Sequence, residues 1–217
     1  MLTIDDVRDE AEALIANAAD GDPLDPVARA LIDLAVKASV TSLDVPAFEA
    51  AMAAALDAGA RAVQVQEIIS LVSGLGVHSL MVSARRLVEL AVARGDAALA
   101  GPLDPARQAL WDRYVGDDPY WVAFEADVPG FLDALLRLSP EQFRGFHDYC
   151  AIPWKTGSVR ALTKELAALA TDAAPTHRYM PGFRMHLRNA LKLGAGRTAV
   201  RETLAIAAAA PVHPGIG

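Results

Sequence analysis

A chain that matches itself without a gap at one fixed offset constrains its own architecture before any single residue is assigned to a helix. Gly59 and Gly194 stand 135 residues apart, and the same offset places Pro46 on Pro181, Phe48 on Phe183, Glu67 on Glu202 and His78 on His213. Leu31, Leu34, Ala35 and Ala38 fall in turn on Leu166, Leu169, Ala170 and Ala173. Alanine pairs carry little weight in a chain this rich in alanine. Paired Pro, Phe, Gly, Glu and His do carry weight, and they predict two tandem copies of one three-helix unit.

Each copy reads as helix. Leu31, Leu34, Ala35 and Ala38 recur at the spacing of one buried helical stripe, as do Leu162, Leu166, Leu169, Ala170 and Ala173. Phe48, Met52, Ala55 and Leu56 form a stripe that ends at Gly59, and Phe183, Leu187, Ala190 and Leu191 form one that ends at Gly194. Glycine past a last helical turn supplies the left-handed conformation that closes it, and Pro46 and Pro181 stand where a helix tolerates a missing N–H. Strand-like alternation of β-branched residues is nearly absent, so the fold class expected is all-α. A degenerate first copy is assigned to residues 1–100, and connecting helices with the second copy to 101–217, together one compact unit. Between the copies, Pro102 to Ser158 holds most of the aromatics, Trp111, Trp121, Phe131 and Phe146 among them, and is expected to supply core rings.

Composition excludes several function classes. Lys and Arg number 20 against 27 Asp and Glu, a net charge of −7, which opposes nonspecific binding of nucleic acid or of an anionic membrane. The single Cys150 excludes an intrachain disulfide framework and any C-x-x-C pair. The acidic start of the chain, Asp5 to Glu12, is unlike a signal peptide, and the apolar run Leu204 to Val212 is shorter than a membrane span. A cytoplasmic location is therefore expected, with no membrane partner. The five histidines form no H-x-x-x-H or H-E-x-x-H pair, and Gly74-Leu75-Gly76 is no dinucleotide fingerprint. No metal and no cofactor are expected.

From Trp154 to Ile216 the sequence resembles the carboxymuconolactone decarboxylase and alkylhydroperoxidase D-like family. The resemblance rests on K-E-L-x-x-L-A from Lys164 to Ala170, on His186 eight residues before Gly194, and on Glu202 eight residues after it. It implies the all-α alkylhydroperoxidase D-like fold, here built from two tandem pseudo-repeats. Peroxidase members place C-x-x-C ahead of the histidine; Tyr179 and Gly182 stand there instead, so thiol peroxidase chemistry is not expected. The stretch FRMHLRNALKLG is closer to the decarboxylase branch.

His186 lies three residues after Phe183 and four before Ala190, and Glu165 bears the same relation to Leu162 and Leu169, so both flank an apolar stripe and could face one pocket edge. An imidazole with a carboxylate partner is a proton shuttle near neutral pH. Arg184 and Arg188 are assigned to holding a substrate carboxylate, with His177 and Tyr179 lining the pocket. No acid occurs from Ala173 through Arg201, whereas the first 25 residues are strongly acidic; the basic stretch either binds an anion or attracts that acidic N-terminus. Glu67 and Glu202 are read as structural or intersubunit residues, and His78, His147 and His213 as packing residues. Together these readings give a cofactor-independent lyase or decarboxylase acting on a small anionic organic acid or lactone. The alternative is a noncatalytic ligand-binding or assembly member. The family's assembly through its helices implies a homo-oligomer, three duplicated chains reproducing a six-unit ring, with a dimer as the alternative.

Overall fold

A computed structural model describes residues 2–216, and 72% of the chain is helical, with no strand among the described residues. Among the described residues twelve α-helices follow one another: α1 (Ile4–Ile15), α2 (Pro26–Ala38), α3 (Val45–Asp57), α4 (Ala62–Ser73), α5 (His78–Ala93), α6 (Pro105–Tyr114), α7 (Pro119–Asp127), α8 (Phe131–Leu138), α9 (Pro140–Thr156), α10 (Ala161–Ala173), α11 (Met180–Lys192) and α12 (Arg197–Ala208).

Both ends of α2, α3 and α4 recur 135 residues later as the ends of α10, α11 and α12. The turns recur as well. Gly59 and Gly194 take φ of 98° and 93°, and Leu43 and Arg178, also 135 apart, both enter the left-handed region, at 32° and 52°. A non-glycine residue held there is strained, so its presence at the equivalent turn of both copies shows one local structure built twice.

The chain divides into two compact units, 1–75 with 152–217, and 76–151. Both copies therefore belong to one unit, which the long middle segment interrupts. In that first unit α2 and α10 pack on each other at the centre. Around α2 lie α3, α4 and α12; around α10 lie α11, α12 and α4. Leu31, Ile32, Leu34, Leu166, Leu169, Phe183 and Leu187 are fully buried between them. Leu56, expected on a buried stripe, is instead half exposed.

Helix α10 is buried on every side from Thr163 through Ala173, although it carries Lys164, Glu165 and Asp172. A charge so enclosed needs specific partners. Lys164 Nζ donates to Glu67 Oε1 of α4 and to the Pro153 carbonyl, both at 2.8 Å, while the Ser158 N–H donates to Glu67 Oε2 at 2.8 Å. The other copy repeats this in reverse: Glu202 of α12 accepts from Arg29 of α2 and from the Leu24 N–H, both at 2.7 Å. Glu67 and Glu202 thus tie each copy to the other within one chain.

Helix α1 rests on α11 and α12 and buries Val7, Ala11 and Ile15. Its acids pair with the basic stretch: Glu10 with Arg184, Glu12 with Arg201, and Asp20 in the following loop with Arg197. There Gly21 crosses Gly196 so closely that a Cβ on Gly196 would lie 2.6 Å from the Gly21 Cα. Of the two readings of charge asymmetry, attraction to the acidic N-terminus is therefore the one these contacts display.

The second unit has an aromatic core of its own. Phe124, Phe131, Phe143 and Phe146 are buried, with Trp121 4.6 Å and Phe143 4.5 Å from the His147 ring. His147 Nδ1 meets the Phe143 carbonyl at 2.8 Å, and burial holds its pKa below the ordinary value. The aromatics at 102–151 thus do more than connect the repeats, although Tyr120 and Tyr149 stay exposed. His213, expected to pack, is exposed in the C-terminal tail.

One helical stretch, Ala62–Ala93, is long and apolar enough by length and composition to cross a membrane, which the run of apolar letters did not suggest. Its first half is α4, whose Ile68 and Val72 lie in the core beside the buried Glu67. A 3-10 turn, Gly74–Val77, then separates it from α5.

Candidate active site in the second repeat

Seven residues separate Glu165 from Asp172, two helical turns, so both carboxylates lie on one face of α10. On α11, Gly182, His186 and Asn189 are spaced four and three apart and share a face likewise. The two faces meet. His186 Nδ1 lies 2.7 Å from Glu165 Oε2, and Asn189 Nδ2 donates to Glu165 Oε1 at 3.2 Å. The other ring nitrogen, Nε2, lies 3.9 Å from Asp172 Oδ2. His177 Nε2 stands 3.7 Å from Asp172 Oδ1.

The turn between α10 and α11 holds this arrangement. With Arg178 in the left-handed conformation, the Tyr179 N–H turns back to the Asp172 carbonyl at 2.9 Å, and the Tyr179 and His177 rings lie 5.9 Å apart. Gly182 is the first-turn residue of α11 that faces Asp172. A Cβ there would lie 2.1 Å from Asp172 Oδ2, so the carboxyl occupies the space of the missing side chain.

Burial drives the electrostatics. It pushes Asp172 up to about 7, the neighbouring His186 acting in the opposite direction. It holds His177 below its usual value. Tyr179 is pushed up to about 12 by burial and then by the Asp172 charge, so its phenol keeps its proton. The cluster thus contains a carboxyl whose burial favours its protonated form, a His177 whose burial favours the neutral ring, and an imidazole bonded to Glu165. Such a set can accept and return protons. Asp172 and His177 also supply two of the donor types that divalent cations take.

Of the residues singled out in the sequence, the structure brings together His186, Glu165, His177 and Tyr179. Arg184 and Arg188 are not in this cluster. Each is two residues from His186 on the same helix, which turns it to another face, and both are exposed; Arg184 pairs with Glu10. Asp172 and Asn189 lie outside the sequence reading, and Gly182 enters it only as the position of a missing cysteine, although the seven-residue step from Glu165 to a second acid on the same helix is a readable signal. In the first copy the positions of Glu165, Asp172, Gly182, His186 and Asn189 hold Ala30, Lys37, Ala47, Ala51 and Ala54. The cluster exists once.

A duplicated three-helix unit, with an imidazole–carboxylate cluster between the first two helices of one copy, defines an all-α protein of the alkylhydroperoxidase D-like fold. The chain belongs to the carboxymuconolactone decarboxylase family, whose model matches residues 140–214. A crystal structure from Burkholderia xenovorans, of a protein provisionally described as a gamma-carboxymuconolactone decarboxylase subunit, is similar at a TM-score of 0.71 with 30% identity, over 95% of this chain and 90% of that one. No curated protein matches the chain.

Proposed function

We propose that the protein is a cofactor-independent acid/base enzyme of the lyase or decarboxylase type, acting in the cytoplasm on a small organic acid or lactone. The observation that carries this reading is the 2.7 Å contact between His186 Nδ1 and Glu165, with Asn189 on the second carboxylate oxygen. A carboxylate bonded to one ring nitrogen fixes the ring's orientation and supports a proton on it, leaving the other nitrogen for chemistry. The family and the Burkholderia protein support a carboxylated lactone as the substrate class.

A second reading, a noncatalytic ligand-binding or assembly member, is favoured by one observation. Arg184, assigned to a substrate carboxylate, is engaged by Glu10, and the remaining cluster sets two carboxyls, Glu165 and Asp172, against two imidazoles, His186 and His177. Turnover of γ-carboxymuconolactone and related lactones, followed by CO2 release, decides between them. His186→Gln and Glu165→Gln should each lower turnover about 10²- to 10⁴-fold with the fold kept. Activity equal to the parent in both variants would leave the binding reading.

A further inference from the structure

We propose that Asp172 is the second acid/base group of this site, set beside His186 in the space that a side chain at position 182 would fill, and that it supplies the proton taken up by the substrate carbon. This rests on the acid/base reading of His186.

The geometry carries it in three steps. First, the carboxyl lies on the face of α10 that also carries Glu165, within 3.9 Å of the His186 nitrogen that Glu165 does not contact. One imidazole thus has a carboxyl on each side, one at hydrogen-bond distance and one at ion-pair distance. Second, the place is reserved for it. Asp172 is 1% exposed, and its Oδ2 stands where the Gly182 Cβ would be, so α11 gives up a side chain to admit the carboxyl. Third, the fold does not require it. In the first copy α2 has the same length and the same ends as α10, yet carries Lys37 at this position, paired with Asp33 along its own helix. There Asp, Gly and His are absent as a set, replaced by Lys37, Ala47 and Ala51. A buried acid whose only purpose was to build the three-helix unit would be needed in both copies.

The step balances as follows. When the bond between a substrate carbon and its carboxylate breaks, CO2 leaves and the electron pair stays on the substrate as an enolate. Asp172, entering as the acid, gives its proton to that carbon and becomes a carboxylate. The His186 imidazolium, stabilised by Glu165, returns a proton to Asp172 and is itself reprotonated by water. His177, 3.7 Å from the other carboxyl oxygen, is a positioning residue.

The test has two arms on the full chain. In the first, the Asp172 carboxyl is titrated by ¹³C NMR in the parent and in His186→Gln. Loss of the imidazolium should raise the Asp172 midpoint; an unmoved midpoint overturns the proposal whether or not a substrate is in hand. In the second, γ-carboxymuconolactone turnover is measured for Asp172→Asn from pH 5 to 9. A fall of at least tenfold, with loss of the parent's pH dependence near neutrality, is expected from an acid/base group, whose typical contribution is about 10²-fold or more. Parent-like turnover and pH profile in Asp172→Asn, with His186→Gln inactive, would overturn this proposal and leave the role of His186 standing. Parent-like turnover in His186→Gln would instead overturn the acid/base reading itself. Turnover abolished by EDTA and restored by Zn²⁺ would also overturn it, by making Asp172 a metal ligand.

Discussion

Gly182 is where local propensity and the site pull in opposite directions. Alanine in a helix is favoured over glycine by up to about 1 kcal/mol, yet a methyl group here would meet the Asp172 carboxyl at 2.1 Å and the Tyr179 ring at 3.0 Å. Overpacking a filled interior typically costs about 1–3 kcal/mol. Gly182→Ala should therefore lower the urea midpoint in the parent, but raise it or leave it unchanged in an Asp172→Ala background. Additive effects in that cycle would show that the two positions do not share space. Asp172 also gives the stability a pH signature. Its folded pKa, about 7, lies above the ordinary 3.8, so the native state binds more protons than the unfolded chain between these values, and the stability from Asp172 is lost as pH rises from about 4 to 7. Asp172→Asn cannot titrate. Its stability relative to the parent should rise across that window, by up to about 4 kcal/mol at 1.36 kcal/mol per unit, in denaturation curves at each pH.

At the scale of elements, the two crossed ion pairs are related by the repeat but not by burial. Lys164 and Glu67 are 3% and 1% exposed, whereas Arg29 and Glu202 are 48% and 25% exposed. Removing one partner of a buried pair strands the other charge, at about 3–5 kcal/mol; an exposed pair is worth about 0–1 kcal/mol. Glu67→Ala should thus destabilise several times more than Arg29→Ala in equilibrium unfolding, and Glu67→Met with Lys164→Leu should recover much of the loss. Helix α1 poses the same choice between effects. Two ion pairs near the surface, from Glu10 and Glu12, bind it at about 1 kcal/mol or less each, but Val7, Ala11 and Ile15 are wholly buried, and truncating a buried Ile costs about 2–5 kcal/mol. Hydrogen exchange should find α1 still protected in 1 M NaCl and opened by Ile15→Ala.

For the whole molecule, the exposed apolar side chains of α5 bear on assembly. Val82, Leu87, Leu90 and Val92 are 38–53% exposed on one helix of which only Ala84 is buried, and exposed apolar side chains at this density suit an association surface. We expect a homo-oligomer, a trimer before a dimer, by light scattering at micromolar concentration. Leu87→Glu with Leu90→Glu should reduce its mass, and an unchanged mass would remove α5 from the interface.

The amino-acid sequence by itself determined the all-α class, the duplication and its register, because helix periodicity and punctuation by Pro and Gly act over a few residues and leave their pattern in the letters. His186 and Glu165 were legible for the same reason, each placed on a stripe by its neighbours. Which polar residues converge was decided only in three dimensions. The sequence placed Arg184 beside His186 because charge along a segment says nothing of helix face, and α1 takes that arginine from the other side. Spacing alone puts Asp172 on the Glu165 face, but its role comes from a gap in a different helix, at Gly182. Glu67 and Glu202, equivalent by position, differ in burial because the packing around the two copies differs. Contacts across 21 to 178 residues, from Glu165–His186 to Leu24–Glu202, come from helices meeting face to face, and no periodicity within one helix encodes the partner it will meet.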